Sequence, residues 1–251
     1  MAIVGIIPAR YASTRLPGKP LLADTGWPMI RHVVIAAGRA STLDRVIVAT
    51  DDSRIADAVR AFGGEVAMTR ADHPTGTDRI AEVVAGLLDA SIVVNIQGDE
   101  PELSPETINR VASLLADDPE APMATLATPI RDRAVWLDPS CVKVVGSSRG
   151  RALYFSRSPI PHHRDGDPDF EAEPPAALLH LGIYAYRCDF LLSYASLPPS
   201  PLEAAEKLEQ LRVLEAGHPI ALGIVAERSV GIDTPDDYER FVARWRAGHP
   251  T

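Results

Sequence analysis

Lysine is almost missing from this chain. Of 251 residues only Lys19, Lys143 and Lys207 are lysines, against 22 arginines, and 34 acidic side chains outnumber the 25 basic ones for a formal net charge of −9. A general nucleic-acid binder needs excess positive charge to displace the counterions of a phosphate backbone, so this balance argues against that class. Cysteine is scarce too. Cys141 and Cys188 lie far apart and match no metal or redox spacing, which excludes zinc ribbons and CxxC chemistry. They read as two reduced, buried thiols of a cytoplasmic protein. No apolar run approaches the ~20 residues of a membrane span. The opening MAIVGIIPAR lacks a basic n-region and has too short an apolar stretch for a signal peptide. The expectation is a cytoplasmic protein with no membrane or nucleic-acid partner.

What is present is ordinary for a globular chain: 46% hydrophobic and 24% charged residues. A chain of this length buries roughly 70–75% of its unfolded surface and needs no covalent staples. Apolar, β-branched runs at Ala2–Ile7, Arg45–Thr50, Glu65–Met68 and Ser91–Gln97 read as strands. Helical patterns over 28–40, 52–62, 78–88 and from Ser104 onward alternate with them. That alternation predicts an α/β fold built on a mostly parallel sheet. The middle differs. Strands expected at 123–130, 141–145, 152–155 and 181–186 lack intervening helices and imply a smaller mixed or antiparallel extension. Residues 157–177 read as a long loop. Ser200-Pro201-Leu202-Glu203 is a capping box opening a helix to about Ala216, followed by a strand at 219–226 and a final helix capped at Thr234.

Ligands of such sheets bind beyond the carboxyl ends of the strands. The loop after the first strand, Pro8 to Pro20, carries Arg10, Arg15 and Lys19 with Ser13 and Thr14, and residues 1–23 hold no acid at all. Guanidinium and ammonium groups there suit a polyphosphate. The loop is neither a Walker A sequence, since Gly18-Lys19 is followed by Pro20, nor a GxGxxG fingerprint. After the fourth strand, Gln97-Gly98-Asp99-Glu100 offers a carboxylate suited to Mg²⁺ near phosphates. Together the two loops read as a Mg-nucleotide site. Asp233 precedes a helix, where an acid is ordinarily only a stabilising cap. Arg157 and His180 are decided by nothing local.

Over nearly the whole chain the sequence resembles the 3-deoxy-manno-octulosonate (Kdo) cytidylyltransferases. The resemblance rests on IIPARYASTRLPGKPL (6–21), VATD (48–51), GGEVAMTRADHPTGTDR (63–79) and VNIQGDEP (94–101). It continues through VKVV (142–145), ALYFSR (152–157), HLGIYAYR (180–187), SPLEAAEKLEQLRVL (200–214) and GIDTPDD (231–237). It implies a single domain, 1–251, with the Rossmann-like fold of the nucleotide-diphospho-sugar transferases. It also implies transfer of CMP from CTP to Kdo with Mg²⁺, in a homodimer serving lipopolysaccharide synthesis. By the same resemblance Arg10, Ser13, Arg15 and Lys19 wrap the CTP phosphates, and Pro8, Ala9, Arg70, Thr75 and Gly76 lie near the cytosine and ribose. Asp99 and Asp233 bind metal, and Arg10, Lys19, Asp99 and Asp233 form the catalytic set. Gln97, Arg157, His180, Tyr184, Glu209 and Gln210 form the sugar-acid pocket. HLGIY and LEQLR favour Kdo over a sialic-acid-like sugar and leave its 8-position open.

Overall fold

The computed structural model describes residues 2–12, 16–194, 196–226 and 229–248. The chain divides into two compact units, residues 1–109 with 229–251, and residues 110–228.

The first unit is the parallel α/β layer that the alternation predicts. Strands β1 (Ala2–Ala9), β2 (Arg45–Thr50), β3 (Glu65–Met68) and β4 (Ala90–Asn95) run in the order β3-β2-β1-β4, every neighbouring pair parallel. Helices α1 (Met29–Gly38), α2 (Ser53–Ala61) and α3 (Gly76–Val84) make the crossovers. Val4, Ile6, Ile7, Ile47, Val48 and Ile92 to Val94 are buried in this sheet, which explains runs apolar at nearly every position. The chain winds outward from β1 to β3, then returns to place β4 on the other side of β1. That reversal makes the carboxyl ends of β1 and β4 the switch point where a ligand crevice forms. Helix α9 (Pro235–Gly248) closes the unit by seating Tyr238, Phe241 and Val242 against Leu16, Met29 and Ile232.

Several boundaries differ from the sequence reading, among them that of β4, which ends at Asn95 and not at Gln97. Strand β1 continues through Pro8 and Ala9, paired with Ala49 and Thr50, because extended backbone suits proline's fixed φ. Helix α3 starts at Gly76 rather than 78, since the Thr75 hydroxyl accepts the Asp78 N–H and caps it there. It stops at Val84, leaving Leu88 outside and fully exposed.

The second unit carries the mixed and antiparallel pairing. Strand β5 (Met123–Pro129) lies between antiparallel β8 (Leu178–Arg187) and parallel β9 (Ile220–Ile224), and β6 (Lys143–Gly146) pairs with β7 (Ala152–Ser156) as a hairpin. Thr125 opposes Tyr184 while Leu126 opposes Leu181, so Gly182 and Ile183 are extra residues that bulge β8. Helix α4 (Pro105–Ala116) begins directly after the expected cap, Ser104. Short helices α5 (Arg133–Leu137) and α6 (Cys188–Tyr194) escaped the sequence reading because neither is long enough to show a period. The capping box of Ser200 and Glu203 is present, but the helix it opens is not continuous to 216. It breaks into α7 (Pro201–Glu206) and α8 (Gln210–Glu215) at Lys207, whose φ is 55°. Arg212 donates to both Glu203 carboxylate oxygens at 2.7 Å and pins the break. Both cysteines are free thiols. Cys188 is buried as expected, whereas Cys141 is only half-buried.

Candidate active site

In the first unit the site is assembled from the ends of β1 and β4 and the segment before α9. Lys19 opens a single 3₁₀ turn, Lys19–Leu21. Gly18 ahead of it has φ 68°, a conformation L side chains resist, and a Cβ there would sit 3.2 Å from the Tyr11 hydroxyl. The Arg54 guanidinium covers the Tyr11 ring at 3.3 Å and is itself held by Asp52. This packing aims Lys19 inward. Its Nζ lies 2.9 Å from Asp99 Oδ2, 2.7 Å from the Ile232 carbonyl and 3.4 Å from Asp233 Oδ1. The Ile232 N–H donates to the Asp99 carbonyl, so the two aspartate loops are stitched together. Gly98 lets the loop after β4 pass close to the end of β1, since a Cβ there would lie 2.9 Å from the Pro8 carbonyl oxygen.

The other positions expected around the nucleotide gather at the same strand ends. Pro8 and Ala9 finish β1, and Gly76, the first residue of α3, packs on the Pro8 ring. Arg10 donates to the His73 carbonyl at 2.7 Å. His73 contacts the Glu82 carboxylate, which also accepts the Arg70 N–H. These bonds hold Glu82 below the usual carboxylate range, the His73 contact contributing most. Gln97 follows β4, half-buried. Ser13 and Arg15 lie outside the described residues. Beside Asp99, burial pushes the Glu100 carboxyl up, opposed by a hydrogen bond from Ser229.

Asp99 and Asp233 supply hard carboxylate oxygens converging on one cation. Among the described residues no group of three or more His, Cys, Asp or Glu is gathered for a metal ion. A divalent ion here would take two carboxylates and complete its shell from water and phosphate oxygens, which is the habit of Mg²⁺.

The second unit groups the remaining expected residues. The His180 and Tyr184 rings lie tilted against each other at 5.4 Å on β8, and Phe155 meets the His180 ring edge-on at 4.9 Å. His180 is half-buried as a residue, and desolvation of its imidazole carries its pKa down to about 3. Burial raises the Tyr184 phenol, so it stays protonated. Glu209 and Gln210 stand at the start of α8, not within a continuous helix. Gln210 is buried and its Nε2 has no hydrogen-bond partner among the described residues, an orphaned donor suited to a ligand oxygen. The Arg157 guanidinium donates to the carbonyls of Glu206 at 2.7 Å and Pro139 at 3.0 Å.

Two residues that sequence reasoning missed organise this region. The Glu206 carboxylate accepts the Ser156 hydroxyl at 2.6 Å and the Arg157 N–H at 2.9 Å. The fully buried Lys143 donates to the carbonyls of Asp138, Cys141 and Arg157. Three acceptors require three N–H groups, so Lys143 is an ammonium although burial lowers its pKa. Its rarity as one of three lysines was the available signal.

A protein-family model described as Cytidylyltransferase matches residues 4–222. The chain is 53% identical over 249 residues to a 3-deoxy-manno-octulosonate cytidylyltransferase of Syntrophotalea carbinolica, covering 98% of this chain and 99% of that one. It is 54% identical to the enzyme of that name from Syntrophobacter fumaroxidans, covering 96% of each. The chain belongs to the 3-deoxy-manno-octulosonate cytidylyltransferase family. A solved CMP:2-keto-3-deoxy-manno-octonic acid synthetase complexed with CTP matches with a TM-score of 0.91 and 47% identity over 99% of this chain and all of that one. A putative glucose-1-phosphate thymidylyltransferase from Bacillus anthracis, at TM-score 0.65 and 18% identity over 98% of this chain and 96% of that one, shares the fold alone. Membership makes this cytidylyltransferase-family chain a nucleotidyltransferase. Among the described residues no helix is long and apolar enough to cross a membrane.

Proposed function

We propose that this chain transfers CMP from CTP to Kdo, giving CMP-Kdo and pyrophosphate. The observation that carries this reading is Lys19 held between Asp99 and Asp233 at the β1/β4 switch point, in a chain about half identical to cytidylyltransferases of that name. In the reaction the anomeric hydroxyl oxygen of Kdo bonds to the α-phosphorus and loses its proton. The bond from that phosphorus to the bridging oxygen breaks, and pyrophosphate leaves with the electron pair.

The chain's residues screen and orient. Lys19 and Arg10, with Ser13 and Arg15 in the same loop, bind the phosphates and offset charge that builds on the α-phosphoryl group and the leaving pyrophosphate. The first helical turn of α3, with Thr75 and Gly76, and the backbone of Pro8, Ala9 and Arg70 position the nucleoside. Gln97, His180, Tyr184, Glu209 and Gln210 hydrogen-bond the sugar acid. Each Arg157 terminal nitrogen has N–H capacity beyond its backbone bonds, enough to take a carboxylate. Most of the acceleration is then in-line positioning of two anions that repel in water. Mg²⁺ is the cofactor of this reading, held by Asp99 and Asp233, and when bound it neutralises phosphate charge and lowers the pKa of the attacking hydroxyl. The whole chain, 1–251, carries this one activity as a single domain. It works in the cytoplasm as a homodimer and feeds lipopolysaccharide synthesis.

The test is pyrophosphate release by purified protein with CTP, Mg²⁺ and Kdo, compared with 8-amino-Kdo and a sialic acid. Release with Kdo above both alternatives is expected. No release above background with Kdo overturns the reading, and faster turnover of another acid sugar moves the substrate assignment.

A further inference from the structure

The bulge in β8 shifts its register with β5 around two carbonyls, those of Leu181 and Ile183. Both turn to one side chain: the Thr125 hydroxyl donates to the Ile183 carbonyl at 2.8 Å, with the Leu181 carbonyl at 3.3 Å. Thr125 is fully buried and Ile183 nearly so, and a buried carbonyl needs a donor. The same Oγ1 lies 3.0 Å from His180 Nε2. A hydroxyl owns one proton. Carbonyl oxygens only accept, whereas an imidazole nitrogen can take either role. The single proton therefore goes to Ile183, and the 3.0 Å contact is a hydrogen bond only if Nε2 carries the hydrogen.

We propose that Thr125 is a positioning residue that fixes His180 as the Nε2–H tautomer, so that its Nδ1 lone pair accepts a hydrogen bond from a hydroxyl of the sugar acid. This rests on the reading of His180 as a sugar-acid contact. It deepens that reading by giving the contact a direction. A neutral acceptor selects hydroxyl donors and gives nothing to a carboxylate, which has only acceptors. The substrate's anionic end is left to Arg157, and the ring reads the polyol. Phe155, edge-on to the imidazole, restricts the ring flip that would put Cε1 in place of Nε2 beside Thr125. The sequence held no hint of this, because Thr125 looks like any β-branched strand residue.

Long-range ¹H–¹⁵N correlation spectroscopy on the full-length protein, with His180 assigned by its loss in His180→Gln, reads the tautomer near neutral pH without substrate. The expected result is a protonated Nε2 and an unprotonated Nδ1, with the Nδ1 resonance moving toward the hydrogen-bonded range when Kdo is added. A protonated Nδ1, or a doubly protonated ring with or without Kdo, overturns the proposal. Thr125→Val removes the hydroxyl at constant shape. It should give mixed tautomers and raise the KM for Kdo about tenfold, the loss of one hydrogen bond, with the KM for CTP unchanged. Thr125→Ser should restore both. Equal loss for Kdo and CTP would mean that Thr125 is merely structural. If Thr125→Val does not fold, the wild-type spectrum still decides. If wild-type protein does not turn over Kdo, the functional reading fails while the spectrum still tests the tautomer.

Discussion

Lys19 Nζ and Asp99 Oδ2 stand 2.9 Å apart across 80 residues of sequence. One is in the loop that leaves β1 and the other in the loop that leaves β4, so the contact exists only because β4 inserts beside β1 instead of beyond β3. Parallel topology thus makes the site. It also resolves the paradox of an acidic chain that binds a polyanion, since the field that matters is set by one loop free of acids.

The pair should matter to turnover far more than to stability. Lys19 is mostly shielded, but Asp99 is a third exposed, and a half-exposed ion pair contributes about 0–1 kcal/mol. Asp99→Asn and Lys19→Met should each lower kcat by about 10²–10³-fold while denaturant midpoints barely change. The double variant should lose much less than the product of the two, because the groups act together. Near-wild-type turnover by Asp99→Asn would remove that carboxylate from the mechanism.

Gly98 sets how close the two loops come. An added Cβ would meet the Pro8 backbone oxygen at 2.9 Å, and backbone cannot step aside as a flexible side chain can. Gly98→Ala should cost about 1–3 kcal/mol of stability, the scale of overpacking, and should raise the KM for CTP. Unchanged urea unfolding would show that the loops separate without penalty.

Much of this was legible in the chain. Period and punctuation gave the parallel layer of the first unit, because its strands are buried on both faces and its helices are long enough to repeat. The phosphate loop and Asp99 were legible because their chemistry is local to strand ends. Asp233 was not. An acid before a helix is common, and only the fold brings it within 3.4 Å of Lys19. The break at Lys207 was hidden for the opposite reason, since the leucine stripe looks helical throughout and tertiary burial of Leu208 overrides it. Thr125 was invisible and Lys143 was marked only by its rarity, because their roles lie in partners contributed by other segments.

The break at Lys207 can be tested. A non-glycine residue at φ 55° costs about 1–2 kcal/mol, and glycine in exchange loses about 0.5–1 kcal/mol of chain entropy. Lys207→Gly should therefore leave stability unchanged or raise it by up to about 1.5 kcal/mol, measured by urea denaturation. A clear loss would mean that the lysine side chain contributes contacts of its own.

Lys143 predicts the reverse. Lys143→Met keeps the length of the side chain and leaves three carbonyls without their donor, at about 1–3 kcal/mol each. One of them belongs to Arg157. The variant should unfold at markedly lower urea concentration, and at permissive temperature its KM for Kdo should rise more than its KM for CTP. A stable variant with normal KM for both would reduce Lys143 to a spectator.

His180 makes stability depend on acid. Its folded pKa is down at about 3, against 6.5 for the free side chain. Between those values the unfolded chain binds a proton that the native ring refuses, so the proton count is higher in the unfolded state and stability rises with pH. The contribution is complete above pH 6.5 and drains away as pH falls toward 3. The slope this one group can add is at most about 1.4 kcal/mol per pH unit. Carboxylates titrate in the lower part of the same window, so the difference between proteins is what counts. In His180→Gln, whose amide still donates toward Thr125, urea midpoints measured from pH 7 to 5 should fall less steeply than in the wild type. Parallel curves would mean that the native ring takes up its proton as readily as the unfolded one, and that the site does not hold His180 neutral.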